Sequence, residues 1–362
     1  MSADYRGRQM QGPDPSTPPY RPSWANRLID WIDSIPGPAY LLYLALILLV
    51  ILLSHVVRWA DGSLPFSQID AIRIAEAPLI IMPLAFFHYL NRHARRSFGE
   101  FRPALPDDET HSPHLLYQLT TTPARGGFIA SATGAAIGLL SLAGDPDGYG
   151  ITPDSSTFTF LYTAALASFS FVFIAMFAYQ TVRQLQLVNR LHRLASNVSL
   201  FELRPIYAFS SLTARTGIGI LFFVYYGTLV ISYANVGSPT PMSPQDLAVF
   251  GLVLVLAGAS FVMPLLGIHR RLSEEKERLL ADVDQRMQIA LQVIHHQVDA
   301  RNFERMDDLN KALASLVTER ELLHKTSTWP WRPETLRAFA SAVALPVAIW
   351  LATALLARFL GL

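Results

Sequence analysis

Arg73 and Glu76 stand three residues apart in AIRIAEAPLIIMPLAFFHYL, a stretch that is otherwise almost wholly apolar. At that spacing two side chains share one face of a helix. A carboxylate inside a hydrophobic segment is costly, so it marks a functional site unless a partner neutralises it. Two chemistries follow: a structural Arg73–Glu76 ion pair, or a gating or transport group at Glu76. Pro78 and Pro83 lie on the same segment, and Pro264 interrupts a later one. A proline withholds its N–H and leaves the carbonyl one turn back without a helical partner; such carbonyls can line a polar path. The candidate gating or conduit residues are therefore Glu76, Arg73, Pro78, Pro83 and Pro264.

The other reactive residues are sparser. Asp145, Asp147 and Tyr149 in DPDGYG resemble the start of a calcium loop, but no glutamate completes the twelve-position pattern. His295 and His296 are adjacent, so on a helix they point about 100° apart, poor geometry for sharing a metal. His192 belongs to a basic helix exit. The chain has no cysteine, which removes disulfides, thiolate nucleophiles and cysteine-ligated metals. No nucleotide-binding glycine fingerprint, phosphate loop, HExxH or GxSxG occurs. The reading is of a protein that is not an enzyme, with no catalytic residue, cofactor or metal.

Long apolar blocks must position these residues. Gly37 to Val57, Gly126 to Gly144, Thr157 to Val182, Thr216 to Pro244 and Leu247 to His269 contain no Asp, Glu, Lys or Arg. About 18 apolar residues suffice to cross a hydrocarbon core of ~30 Å as a helix. Only 16% of the 362 residues are charged, and 51% are hydrophobic. The expected fold is all-α and polytopic. Six spans cover Ala39 to Val57, Ile72 to Leu90, Phe128 to Ala143, Phe158 to Tyr179, Ile218 to Ala234 and Leu247 to Ile268; a seventh runs from Thr335 to Phe359. No cleavable signal peptide is evident, because the first apolar run is too long for one.

Arginine distribution orients the chain. Loops 145–156 and 235–246 carry no Arg or Lys, whereas Arg92, Arg95, Arg96 and Arg102 follow span two and Arg183, Arg190, Arg193 and Arg204 follow span four. The positive-inside rule puts the amino terminus in the cytoplasm of a cell membrane. Seven spans leave the carboxyl terminus outside; six leave it inside. Residues 1–22 read as a disordered cytoplasmic tail, and 23–35 as an interfacial amphipathic helix with Trp24, Leu28, Trp31 and Ile32 on its apolar face. Residues 36–268 form the six-span domain, with a cytoplasmic helical extension at 180–196. In span three, Ala130, Gly134 and Gly138 form a ridge of small residues on which another helix can sit closely.

Residues 269–328 read as a cytoplasmic antiparallel helical hairpin of coiled-coil type, turning near Asp299 to Asn302, and 329–362 as the terminal membrane helix. The hairpin's first arm sets Leu279, Val283, Met287, Ala290, Ile294 and Val298 along one side. Its second arm carries the packing stripe Met306, Leu309, Leu313, Leu316 and Leu323. Such a protein has the lipid bilayer as partner, self-associates as a homo-oligomer, and offers a surface to a cytoplasmic protein; its net charge of +1 gives no reason to expect nucleic acid. The leading function is an oligomeric channel or gated pore. A membrane sensor, scaffold or assembly factor acting through its cytoplasmic helices is the alternative, and a secondary transporter the second alternative.

Overall fold

A computed structural model describes residues 18–106, 112–153, 155–195, 200, 203–234 and 244–360, without the side chains of 231–250 and most of those from 346 onward. The regular elements of the described residues are helices: α1 (Trp24–Ser34), α2 (Ala39–Asp61), α3 (Ala71–Phe101), α4 (Ser112–Thr120), α5 (Ala124–Gly144), α6 (Thr157–Leu194), α7 (Ala208–Ala234), α8 (Pro244–Asp299), α9 (Met306–Lys325) and α10 (Pro333–Leu360). Six of them, α2, α3, α5, α6, α7 and α8, are long and apolar enough to cross a membrane. The chain is an all-α multi-spanning membrane protein. The seventh expected span is a helix, α10, whose last side chains lie outside the description. Two compact units divide the contacts: Met1–Phe98, Asp107–Leu187 and Gly219–Leu254 form the first, and Gly99–Pro106, Val188–Ile218 and Val255–Leu362 the second.

In the first unit, α5 and α6 approach closely because α5 offers glycine. A Cβ added at Gly134 would stand 2.5 Å from the Phe171 carbonyl oxygen, and one at Gly138 2.7 Å from that of Ala167. Small residues let two backbones meet where lipid provides no hydrophobic drive for association.

The amino-terminal helix docks by a different face from the one its periodicity suggests. Ala25, Asn26, Ile29 and Ile32 are buried, whereas Trp31 is 57% exposed and Trp24 and Leu28 are only half-buried. The reason is a polar hub that an apolar-stripe argument cannot see. Ser23 caps the helix, its hydroxyl accepting from the Asn26 N–H. The Asn26 Oδ1 accepts from the Thr122 N–H at 2.9 Å and from the Thr122 hydroxyl, while its Nδ2 donates to the Thr120 carbonyl at 3.0 Å. Tyr20 to Pro22, which the sequence reading assigned to the tail, are held as well. Pro22 bridges to Pro123, the Tyr20 hydroxyl donates to the Thr121 carbonyl, and Arg183 donates to the Tyr20 oxygen and to the carbonyls of Gln118 and Thr121. Burial pushes the Tyr20 phenol above its ordinary pKa, with the Arg183 charge pulling the other way. Ile32 joins Tyr43, Ile80, Ile81 and Leu84 in the apolar core of this unit. Beside it the Tyr43 hydroxyl meets His88 Nδ1 at 2.9 Å, and Asp33 accepts from Arg92 at 2.6 Å.

In the second unit cationic side chains close helix ends. Arg271 donates to the carbonyls of Ala195, Arg193 and His192 at the end of α6. Lys276 donates to those of His324 and Thr326 at the end of α9. Both satisfy orphan carbonyls at the negative pole of a helix. On α9, Met306, Leu309, Leu313 and Leu316 are half-buried and Leu323 is buried. On α8, Val283 is buried, and Leu279, Met287, Ala290 and Ile294 are half-buried, but Val298 is exposed. Arg320 of α9 pairs with Asp284 of α8 at 2.7 Å. The segment between α9 and α10 is pinned by stacked rings running His269, Trp329, Trp331, Phe261 and Phe339, with neighbouring centroids 3.8 to 5.4 Å apart. This gives TSTWPWRP a structural role as a clamp.

Candidate functional site

Arg73 and Glu76 line a cavity of about 490 Å³ inside the first unit. Four helix ends build most of it, and α7 adds Val230. The last turns of α2 supply Ser54, Val57 and Arg58, and the first turns of α3 supply Arg73, Glu76, Leu79 and Ile80. The end of α5 and the loop after it bring Ser141, Asp145 and Tyr149, and the first half of α6 brings Thr159, Tyr162, Thr163, Ser170 and Phe171.

Capping fixes these ends. Asp70 stands before α3, and its Oδ1 accepts from the N–H groups of Ile72 at 3.0 Å and Arg73 at 3.4 Å, satisfying orphan donors of the first turn. The Asp70 N–H donates to His55 Nε2 while His55 Nδ1 lies 2.8 Å from the Ile51 carbonyl, so the imidazole carries its proton on Nδ1. Ser156 caps α6 through its hydroxyl, which accepts from the Thr159 N–H, and its own N–H donates to Asp61 of α2. The 145–153 loop folds on itself, Asp145 accepting from the Gly148 N–H and the Asp147 carbonyl from the Gly150 N–H. Tyr149 reaches Ser141 at 2.9 Å, and Tyr162 reaches Ser54 at 2.8 Å.

Two guanidinium groups from different helices converge here. Arg73 Nη1 donates to Glu76 Oε2 at 2.5 Å. Arg58 Nη2 donates to the Tyr149 carbonyl at 3.3 Å. Asp70 Oδ2 lies between them, 3.6 Å from Arg58 Nη1 and 3.7 Å from Arg73 Nε, close enough for charge attraction but long for a hydrogen bond. The buried Arg73 Nε has no hydrogen-bond partner. Both Nη2 atoms pack against Gly150: a Cβ there would fall within 3.0 Å of the Arg73 Nη2 and nearer still to that of Arg58. Gly150 also holds φ +72°, so glycine serves it twice over.

The apolar part of the lining includes Leu79, Ile80, Leu166, Phe171 and Val230. Farther along α3 and α6 comes an aromatic layer in which Phe86 contacts Phe177, Phe222 and Phe223 at centroid distances of 5.9 to 6.3 Å. Beyond it, Gln180 and Gln184 both approach Asn91 Oδ1 and the Leu119 carbonyl, at 3.0 to 3.5 Å. Gln180 Oε1 and Thr181 Oγ1 are buried without a partner. Ile80 and Asn91 are eleven residues apart on α3, so roughly 16 Å of apolar packing separates the charged cavity from the amide layer.

The sequence-derived site residues therefore scatter. Arg73 and Glu76 line the cavity together; Pro78 and Pro83, on the same helix, are absent from its lining, and Pro264 belongs to the second unit. The Pro264 carbonyl meets His192 Nδ1 at 3.0 Å, and that buried imidazole sits between Phe101 and Phe209. His192 is thus a core residue rather than part of an exposed basic exit. Sequence reasoning missed Arg58 and Tyr162 as site residues and the buried amides of Asn91, Gln180 and Gln184, and it weighed Asp145 and Tyr149 only as the start of a calcium loop. The i, i+4 spacing of Gln180 and Gln184 at the end of an uncharged run was the available signal for the amides. Among the described residues, no group of three or more His, Asp or Glu side chains is placed to hold a metal ion. The chain matches no family model, no curated protein and no solved structure.

Proposed function

We propose that this chain is a non-enzymatic subunit of an oligomeric gated conduit, and that the cavity at Arg58, Arg73 and Glu76 is its mouth. The observation that carries the reading is the cavity itself: two arginines and two carboxylates sit among membrane-crossing helices, where charge is expensive and tends to mark a solute path. The aliphatic floor and the Phe86 layer have the character of a dewetted hydrophobic gate in its closed state. The amide layer at Asn91, Gln180 and Gln184 gives a polar landing on the far side. By the arginine asymmetry of the loops, the cavity faces outward, the amide layer faces the cytoplasm, and the α8–α9 arms project into the cytoplasm.

Flux of small solutes into protein-loaded liposomes tests this. Phe86→Ala thins the aromatic layer and should raise flux several-fold over the wild type, while Glu76→Gln should alter its dependence on solute charge. Empty-liposome rates for both the wild type and Phe86→Ala would overturn the conduit reading. A second reading, a scaffold or sensor acting through cytoplasmic helices, draws on the exposed Ile289, Val293, Val317 and Leu322 of the two arms and on Phe303 in the turn between them.

A further inference from the structure

We propose that the cavity binds a small amphiphilic monocarboxylate, its carboxylate held by Arg58 and Arg73 and its apolar body lying against Leu79, Ile80, Leu166, Phe171 and Val230. The assignment deepens the conduit reading by naming a solute class, and rests on it only for the notion that the bound molecule is carried. The cavity's 490 Å³ lies within the ~300–1,000 Å³ usual for small-molecule sites.

The argument is one of unspent donors. A guanidinium offers five N–H donors in a planar fork suited to a carboxylate. Arg58 spends one on the Tyr149 carbonyl, at a long 3.3 Å, and Arg73 spends one on Glu76. Arg73 Nε is buried and unpartnered, and an unmet buried donor is unfavourable until something accepts from it. The carboxylates present do not meet this demand. Asp70 has committed Oδ1 to the first turn of α3 and holds Oδ2 beyond hydrogen-bond distance of both guanidiniums. Glu76 reaches Arg73 alone, and Asp145, at the exposed rim, is turned to the Gly148 N–H. Both Nη2 atoms pack against Gly150, which brings the two guanidiniums side by side, and both arginines line the cavity.

The rest of the cavity sets the body of the ligand. Below the arginines the polar lining is hydroxyl, from Thr163 and Ser170, and the remainder is aliphatic or aromatic. An inorganic anion would leave that part unfilled. A carboxylate with a short hydrocarbon chain matches both ends. Each buried methylene contributes ~0.8 kcal/mol, about a fourfold gain in affinity per carbon until the cavity is full.

Isothermal titration of the purified full chain in detergent with acetate, butanoate, hexanoate and octanoate tests this. Affinity should tighten by about fourfold per methylene and then level off. Arg58→Gln should weaken every acid by ~10-fold or more, and Arg58→Lys should not restore the loss, because an ammonium lacks the fork. Leu79→Phe, which leaves both arginines in place, should move the levelling point to a shorter acid. No saturable binding by any acid overturns the assignment. So does an unchanged affinity in Arg58→Gln, or equal binding of an alkyl ammonium of the same length. Continued tightening with long-chain acids also overturns it, since that marks partition into the detergent or a bilayer-facing lipid site. Saturable binding without flux keeps the assignment and removes the conduit reading; flux of other solutes without carboxylate binding does the reverse.

Discussion

Gly134→Ala adds one carbon where α5 meets the backbone of α6. That carbon would stand 2.5 Å from the Phe171 carbonyl oxygen, 2.8 Å from the carbonyl carbon and 2.9 Å from the Val172 Cα. All three are backbone atoms, so no rotamer change relieves the clash. Ordinary contact near ~3.5 Å requires α5 and α6 to part by about 1 Å, and a gap of that size forfeits roughly a quarter to a half of the dispersion energy of each pair it opens. Overpacking of this kind costs about 1–3 kcal/mol. Replacing a helical glycine returns up to ~1 kcal/mol through the unfolded chain. The net expectation is a loss of roughly 1–2 kcal/mol. Gly138→Ala meets the Ala167 carbonyl at 2.7 Å and should cost somewhat less. The double variant should cost less than the sum, because one retreat of the helix relieves both clashes. Gly258→Ala is the control, since nothing lies within 4 Å of its added carbon. Unfolding of all four in one detergent gives the comparison. A Gly134→Ala protein as stable as Gly258→Ala, or a strictly additive double variant, would refute the close-packing argument.

Glu76→Gln and Arg73→Gln should each destabilise the fold, and the double variant should recover part of the loss, with a coupling of roughly 0.5–3 kcal/mol in a double-mutant cycle. Asn26→Ala strands the buried Thr122 N–H, so α1 should become the first site of limited proteolysis, at a cost of about 1–3 kcal/mol. Arg271→Gln removes the donor to three carbonyls at the end of α6, and hydrogen exchange should rise there while the α5–α6 contact stays protected. Replacing Leu309, Leu313 and Leu316 together by Ser should leave membrane insertion intact and expose α9 to protease or change oligomer size; an unaltered oligomer and unaltered cleavage would count against that packing face. Single cysteines at Ser155 and Ser243 should react with an impermeant thiol reagent on sealed cells, and one at Ser273 should not; labelling at Ser273 would reverse the orientation.

Periodicity and block length reveal membrane helices because hydrocarbon acts on every residue of a span alike. That is why α2, α5 and α6 follow from runs of uncharged residues. The glycine ridge was legible for a related reason: Gly134 and Gly138 differ from their neighbours in the one property, size, that sets how near a helix can come. Contacts between distant segments left no such trace. Nothing local to Arg58 says that Tyr149, ninety-one residues away, will accept from it. Ser23 and Asn26 lie outside the apolar face read for α1, yet their bonds to Thr122 and Thr120 bury them. His192 likewise sits among arginines in sequence, but Phe101, Phe209 and the Pro264 carbonyl enclose it.

The central claim is that water enters a charged cavity within the membrane domain. The chain has no cysteine, so single replacements report on it without background. Thr163→Cys and Ser170→Cys line the cavity, whereas Phe169→Cys stands on the exposed face of the same helix, where Phe169 is 58% exposed. With protein in sealed liposomes and a charged, impermeant thiol reagent in the outer solution, the account predicts labelling of Thr163→Cys and Ser170→Cys at least ~10-fold faster than Phe169→Cys, because only the first two meet water rather than lipid. Equal, negligible labelling of all three in both protein orientations would mean a dry cavity and would contradict the account.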